Sequence, residues 1–285
     1  MAPGKKRKRV KNKNRTTVLL GLIILSMGLY GLWHSGFFSR ISRSSQAPAN
    51  SSSDDEVLNT NPKIVFIIDD IGYNLDAERE LKALGDDVVY SILPLLPYSR
   101  HFASASQTTK ADVILHLPLE TVSGTIPGRG LISRQMEPSY VLEMLATDLA
   151  SVPGNIGANN HMGSLGTSDP ALMRIILKEM KRRNLFFIDS YTTPDSVVSK
   201  VAQELGMRVL VRDVFLDNVD AKNPIRGQIR LLKSKAREKG YAIAIGHYRK
   251  NTLEVLREDI PKLRREGFEV LSLKQLLRYL DHQKK

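Results

Sequence analysis

The sequence predicts an α/β fold: a distorted (β/α) barrel of about seven parallel strands, preceded by a single transmembrane helix. Three observations predict it. From Pro62 onward, short β-branched apolar runs alternate with segments of helical period, the pattern of parallel β-α units. The runs are apolar almost throughout, as in IVFII (64–68) and AIAIG (242–246), which suits strands buried on both faces. Near the N-terminus, Thr16 to Trp33 is uncharged, apolar and about eighteen residues long, just enough to cross a bilayer core.

The chain is expected to divide into four parts. Residues 1–15 form a basic tail, 16–38 a transmembrane signal-anchor closed by Tyr30 and Trp33, and 39–61 a flexible linker rich in Ser and Asn. Residues 62–285 form the barrel domain. The positive-inside rule puts the tail in the cytoplasm, so the chain is expected to be single-pass in the cytoplasmic (inner) membrane, its barrel facing the periplasm. A cleaved signal peptide, cut near Gln46–Ala49, is the alternative.

In the barrel domain, strands are expected at 63–68, 87–93, 111–117, 155–158, 185–189, 207–212, 241–246 and 268–271. Helices are expected at 76–84, 139–150, 170–183, 195–205, 224–239, 252–266 and 273–280. Pro170 and Pro224 sit where helix starts tolerate proline, and Gly206, Gly240 and Gly267 where helix ends need a left-handed residue. An open, doubly wound sheet is the alternative architecture.

The formal charge of +12 suggests nucleic acid until its distribution is read. Ten of the 42 basic residues lie in the first 45, where there is no acid, leaving 32 against 30 acidic residues. A nearly neutral folded part offers no track for a polyanion, so no nucleic-acid partner is expected. The absence of cysteine excludes disulfides, thiolate metal sites and a cysteine nucleophile. Any metal must therefore be held by His, Asp and Glu, which suits zinc or a similar divalent ion.

Polar, chemically capable residues gather at the C-terminal ends of the expected strands, the rim where parallel α/β folds build their sites. They are Asp69 and Asp70, His116, Asn159, Asn160 and His161, Asp189, Arg212 and Asp213, and His247. Two adjacent aspartates after five apolar residues repel each other unless a cation or hydrogen bonds stabilise them. Asp189 and Asp213 read either as ion-pair partners of Arg212 or as direct participants. Asn159, Asn160 and Ser164 read either as turn residues or as groups orienting ligands.

IIDDIG (67–72), LHLPLE (115–120), NNHMGS (159–164), DSYTT (189–193), RDVFLDN (212–218) and AIGH (244–247) together resemble the divergent branch of the polysaccharide deacetylase superfamily. The likeness spans about Pro62 to Leu277. It implies a metal-dependent hydrolase acting on N- or O-acetyl groups of a cell-envelope glycan, with Asp69 as base and His247 as acid. It also implies Asp70 as one metal ligand. The superfamily's two metal histidines usually come from one His-x-x-x-His segment, which this chain lacks, so His116 and His161, from two strand ends, are the expected substitutes. Asn160, Ser164, Asp189, Arg212 and Asp213 would support the site or bind substrate. Nothing in the sequence names the glycan or a protein partner. A non-catalytic barrel that binds glycan or a partner is the competing expectation.

Overall fold

The computed structural model describes residues 61–283, within a compact unit spanning Leu58–Lys285. The expected tail, anchor and linker lie outside the described residues, apart from Asn61. Among the described residues no helix is long and apolar enough to cross a membrane.

The strands are β1 (Lys63–Ile71), β2 (Val88–Ile92), β3 (Val113–Leu119), β4 (Gly157–Met162), β5 (Phe186–Asp189), β6 (Val209–Val211), β7 (Val214–Phe215), β8 (Tyr241–His247) and β9 (Glu269–Val270). All ladders are parallel, in the order β6-β5-β4-β3-β2-β1-β8-β7, with β9 added to β1. Read as a ring from β7 through β8 and β1 to β6, the strands keep chain order. A doubly wound sheet would reverse direction at its centre; this one does not, and it fits a (β/α) barrel.

The ring is closed by the chain rather than by a ladder. Arg212 N–H still donates to the Asp189 carbonyl of β5, whereas Asp213 N–H already donates to the Ile243 carbonyl of β8. Two residues thus carry the chain across a seam between β6 and β7. The expected strand 207–212 is thus shortened to β6, and β7 begins just past it on the other side of the gap, which brings the strands among the described residues to nine where eight segments were expected.

Among the described residues eight α-helices follow the strands: α1 (Glu78–Lys82), α2 (Ser99–Thr109), α3 (Pro138–Ser151), α4 (Pro170–Arg182), α5 (Val198–Glu204), α6 (Lys222–Lys239), α7 (Lys250–Arg265) and α8 (Leu273–His282). The helix α2 was not among the expected elements. Its Ser, Thr and Gln content hides it, and it buries only Phe102 and Ala103 among its apolar residues. The left-handed helix ends are where expected, with φ of 57° at Gly206, 83° at Gly240 and 85° at Gly267.

Two apolar clusters result from strand alternation. One lies between sheet and helices. The other is the barrel interior: Val65 and Ile67 of β1, Val89 of β2, Ile114 of β3, Ile188 of β5, Leu210 of β6, and Ile243 and Ile245 of β8. Leu273 and Leu276 of α8 join it, so this helix plugs the N-terminal end of the barrel. A capping box, Ser272 with Gln275, starts α8, and Asp112 accepts from the Lys274 N–H at 2.8 Å.

Candidate active site

The interior alternation that builds the dry core also delivers the polar residues. One step of two beyond Ile67 is Asp69, beyond Val89 is Ser91, beyond Ile114 is His116, beyond Ile188 is Ser190, and beyond Ile245 is His247. The interior residues therefore change from branched apolar to polar at the C-terminal rim. On β4 the same parity runs through Gly157, Asn159 and His161, so Asn159, Asn160 and His161 belong to the strand rather than following it.

Asp70 breaks the alternation. By parity it would face outward, but the β1–β2 register shifts between Ile68 and Ile71 and Asp70 takes a left-handed φ of 63°. The bulge turns it to the same mouth as Asp69. Asp70 Oδ1 lies 3.3 Å from His116 Nε2 and 3.2 Å from His161 Nδ1, and those two nitrogens are 3.0 Å apart. Asp70 Oδ1 is buried, and neither imidazole is angled to give it a proper hydrogen bond. Three donors on three strands thus point at one another. Ligands of a tetrahedral zinc ion at about 2.0–2.1 Å would be separated by about 3.3–3.4 Å, so this set fits a small divalent ion with little adjustment. It is the one group of three or more His, Asp or Glu residues with such spacing among the described residues.

The surroundings orient these three side chains. His116 Nδ1–H donates to Asn159 Oδ1 at 2.9 Å, which turns Nε2 toward Asp70 and His161 Nδ1. Ser91 Oγ donates to the same oxygen at 2.7 Å. Asn159 Nδ2 donates to Asp69 Oδ1 at 2.9 Å and to Ser190 Oγ at 3.2 Å. One fully buried amide therefore ties β2, β3, β5 and the first aspartate together. Asp69 Oδ2 lies 3.6 Å from His116 Nε2, and Asp69 is only 2% exposed.

Electrostatics follow from this crowding. Burial pushes the Asp70 carboxyl up, but the two imidazoles beside it more than offset that and hold it well below the usual carboxylate range. Burial pulls His116 down, yet Asp69 and Asp70 together raise it above its ordinary value. Both shifts describe a preformed arrangement of opposite charges.

On the other side of Asp69, His247 is its ladder partner across β1–β8. His247 Nδ1–H donates to Asp217 Oδ1 at 2.7 Å, and its backbone N–H to Asp217 Oδ2 at 2.8 Å. Thr252 Oγ1 adds a third bond to Asp217, at 2.6 Å. Burial pulls His247 down, but the Asp217 hydrogen bond and charge raise it overall. The Phe215 ring stacks on His247, with ring centres 6.1 Å apart and planes 12° apart, and the Arg212 guanidinium lies 3.8 Å from the Phe215 ring centre.

The other expected residues are placed differently. Arg212 forms no ion pair with Asp189 or Asp213; its Nε donates to the Ser190 carbonyl at 2.7 Å and its terminal nitrogen to the Tyr191 carbonyl at 3.0 Å. Asp189 accepts from Tyr191 N–H at 2.8 Å and Ser196 Oγ at 2.6 Å, not from an imidazole. Asp213 is bound to Lys239 at 2.9 Å and to the Ile243 N–H at 2.8 Å, down the wall from the rim, so its task is to hold the seam. Ser164 accepts from the Val122 N–H at 3.0 Å and pins the loop after β3 rather than joining the cluster. Asn160 links Ser190 N–H, at 2.8 Å, to the Met162 carbonyl, at 2.7 Å. Asp217, Ser91, Ser190 and Thr252 were not singled out from the sequence. A signal existed for Asp217: it is a carboxylate just past the short apolar run Val214–Leu216.

A cavity of about 810 Å³ lies between residues 95–100, 129–130 and α3. It is walled mainly by apolar and small side chains and holds none of the cluster residues. Asp148 of α3 packs against Gly130 in its wall, fully buried and with neither oxygen hydrogen-bonded to protein. Burial raises its carboxyl to about 8. Between its ordinary value of 3.8 and about 8, the folded state therefore holds one more proton than the unfolded state. Stability should fall as pH rises through that window, by up to about 1.4 kcal/mol per pH unit. Urea midpoints at pH 5 and pH 8 should show a drop in the parent protein and a smaller one in Asp148→Asn.

Fold and site define a (β/α)-barrel protein with an aspartate–histidine cluster at its C-terminal rim. The model of the divergent polysaccharide deacetylase family matches residues 66–277, and the chain belongs to that family. It is 35% identical over 201 residues to an uncharacterized protein of Haemophilus influenzae, covering 70% of this chain and 72% of that one. It is 31% identical over 201 residues to the Escherichia coli protein YibQ, covering 70% of this chain and 63% of that protein. Among solved structures, the uncharacterized protein ATU2773 of Agrobacterium tumefaciens aligns with a TM-score of 0.72 at 17% identity, over 76% of this chain and 89% of that one. That likeness is one of fold.

Proposed function

We propose that this chain is a metal-dependent deacetylase that removes N- or O-acetyl groups from a cell-envelope glycan. The observation that carries the reading is the meeting of Asp70, His116 and His161 at 3.0–3.3 Å, flanked by Asp69 on one strand and His247 on the next. Asp70 Oδ1, His116 Nε2 and His161 Nδ1 would hold the ion, which we take to be zinc. The chemistry such an ion supplies is Lewis acidity toward the acetyl carbonyl and acidification of water.

The chain's own residues supply the proton transfers. Asp69, held by the Asn159 amide, takes a proton from water as the water oxygen bonds to the acetyl carbon. His247 gives its proton to the leaving nitrogen or oxygen, which takes the electron pair of the breaking bond. Asp217 fixes which imidazole nitrogen carries that proton by binding Nδ1–H, so that Nε2–H faces out. Asn159 keeps His116 from rotating and so keeps its lone pair on the metal side.

The basic tail before the apolar stretch at 16–38 supports an anchored chain with its barrel outside the cytoplasmic membrane, where such a glycan is met. The test is elemental analysis of the purified full chain, with an assay of acetate release from chitooligosaccharides and peptidoglycan fragments. We expect about one divalent ion per chain, activity lost on chelation and restored by Zn²⁺. Metal without acetate release would favour a glycan-binding barrel; neither would end the catalytic reading.

A further inference from the structure

Two exposed apolar side chains at the mouth stand on backbone that glycine would adopt more easily. Met162, directly after His161, has φ 53°, and Tyr191, directly after Ser190, has φ 49°. Left-handed backbone disfavours side chains with a Cβ. Neither side chain repays this by joining an apolar core: Met162 is 38% exposed and Tyr191 43%.

The conformation is imposed by a network. The Met162 carbonyl accepts from Asn160 Nδ2 at 2.7 Å and Thr192 Oγ1 at 2.8 Å. Tyr191 N–H donates to Asp189, and its carbonyl accepts from Arg212. Asn160 also accepts from Ser190 N–H, so the ends of β4 and β5 are tied together. Four polar side chains, those of Asn160, Thr192, Asp189 and Arg212, thus hold a methionine and a tyrosine in strained backbone beside the cluster, with both residues partly exposed. Strain maintained for side chains that do nothing for the fold points to something outside the chain.

We infer that Met162 and Tyr191 form a shelf for the C–H face of a pyranose ring of the glycan, next to the reacting acetyl group. This rests on the deacetylase reading of the same site. A pyranose with equatorial substituents presents a flat apolar face, which an aromatic ring and a polarisable thioether suit. A lipid surface suits the place less well, because it would strip water from Asp70 and His161 immediately alongside. Arg212 and Asn160 act here as positioning residues, setting the shelf through the backbone.

The test uses glycine variants of the full chain, singly and together: Met162→Gly and Tyr191→Gly. Glycine accepts the left-handed backbone, so the thermal midpoints should equal or exceed the parent's. Chitopentaose binding by calorimetry should weaken about tenfold for each variant, and KM for acetate release should rise alike with kcat nearly kept. Tyr191→Phe should bind as the parent does. Unchanged affinity and KM in the double variant would overturn the shelf, as would a parent that binds neither chitopentaose nor peptidoglycan fragments. If the parent binds chitopentaose through these side chains but releases no acetate, the shelf stands and the catalytic reading fails. If acetate is released and the variants keep the parent's KM, the shelf alone fails.

Discussion

Asp70→Gly is expected to abolish stoichiometric binding of a divalent ion and to lower acetate release by at least about a thousandfold. Glycine is the apt replacement because position 70 has φ 63°, where alanine would add strain of its own. The effect should be large because Asp70 is the one carboxylate facing both imidazoles. Without it, His116 Nε2 and His161 Nδ1 remain 3.0 Å apart with nothing negative between them except Asp69, 3.6 Å from His116. The contrast is Asp69→Asn, which keeps the three donors. It should retain the ion and lose turnover by about 10²–10⁴, the usual worth of a positioned base. Elemental analysis and acetate release, measured on both variants, separate ligand from base. Loss of metal in Asp69→Asn with retention in Asp70→Gly would reverse the assignment.

The second large effect concerns Asp217. Asp217→Asn should lower kcat by about 10²–10⁴ and move the alkaline limb of the pH–rate profile to lower pH. The sign follows from two opposed influences on His247. Burial alone lowers its affinity for a proton; Asp217 reverses this and raises it above the ordinary 6.5. A general acid must carry its proton, so the parent should stay active above pH 6.5 and decline as pH passes the raised value. Removing the Asp217 charge leaves burial dominant, and the decline should come earlier. Asp217 is itself held low, since the hydrogen bond and charge of His247 outweigh its own burial. A limb that does not move would show that His247 is not the acid.

Much of this arrangement could be read from residue order. Asp69, His116 and His247 each stand two residues beyond an interior apolar residue, so strand alternation places them on one rim. Asp70 was legible as a chemical candidate, but the bulge that turns it inward depends on a break in β1–β2 pairing that one strand does not encode. Asp217 was passed over because β7 is only two residues long and carries no visible period. Asp213 looked like a rim residue for the matching reason: 207–212 read as one strand ending at the mouth, whereas the chain there changes partners. Which carboxylate serves which base is a property of pairing between distant segments, and that is where reading along the chain stops.

The gap between β6 and β7 bears on more than topology. The wall is joined there by two covalently linked residues and by the Arg212 guanidinium over the Phe215 ring, with no ladder between β6 and β7. The flanking strands, three and two residues long, are too brief to recruit a strand from another molecule, so the unpaired edges are protected by their shortness. Arg212, at that joint, grips the carbonyls beneath Tyr191. The joint therefore falls between Tyr191, which follows β5, and His247 of β8, whereas His116 and His161 stand on β3 and β4, whose pairing with each other is unbroken.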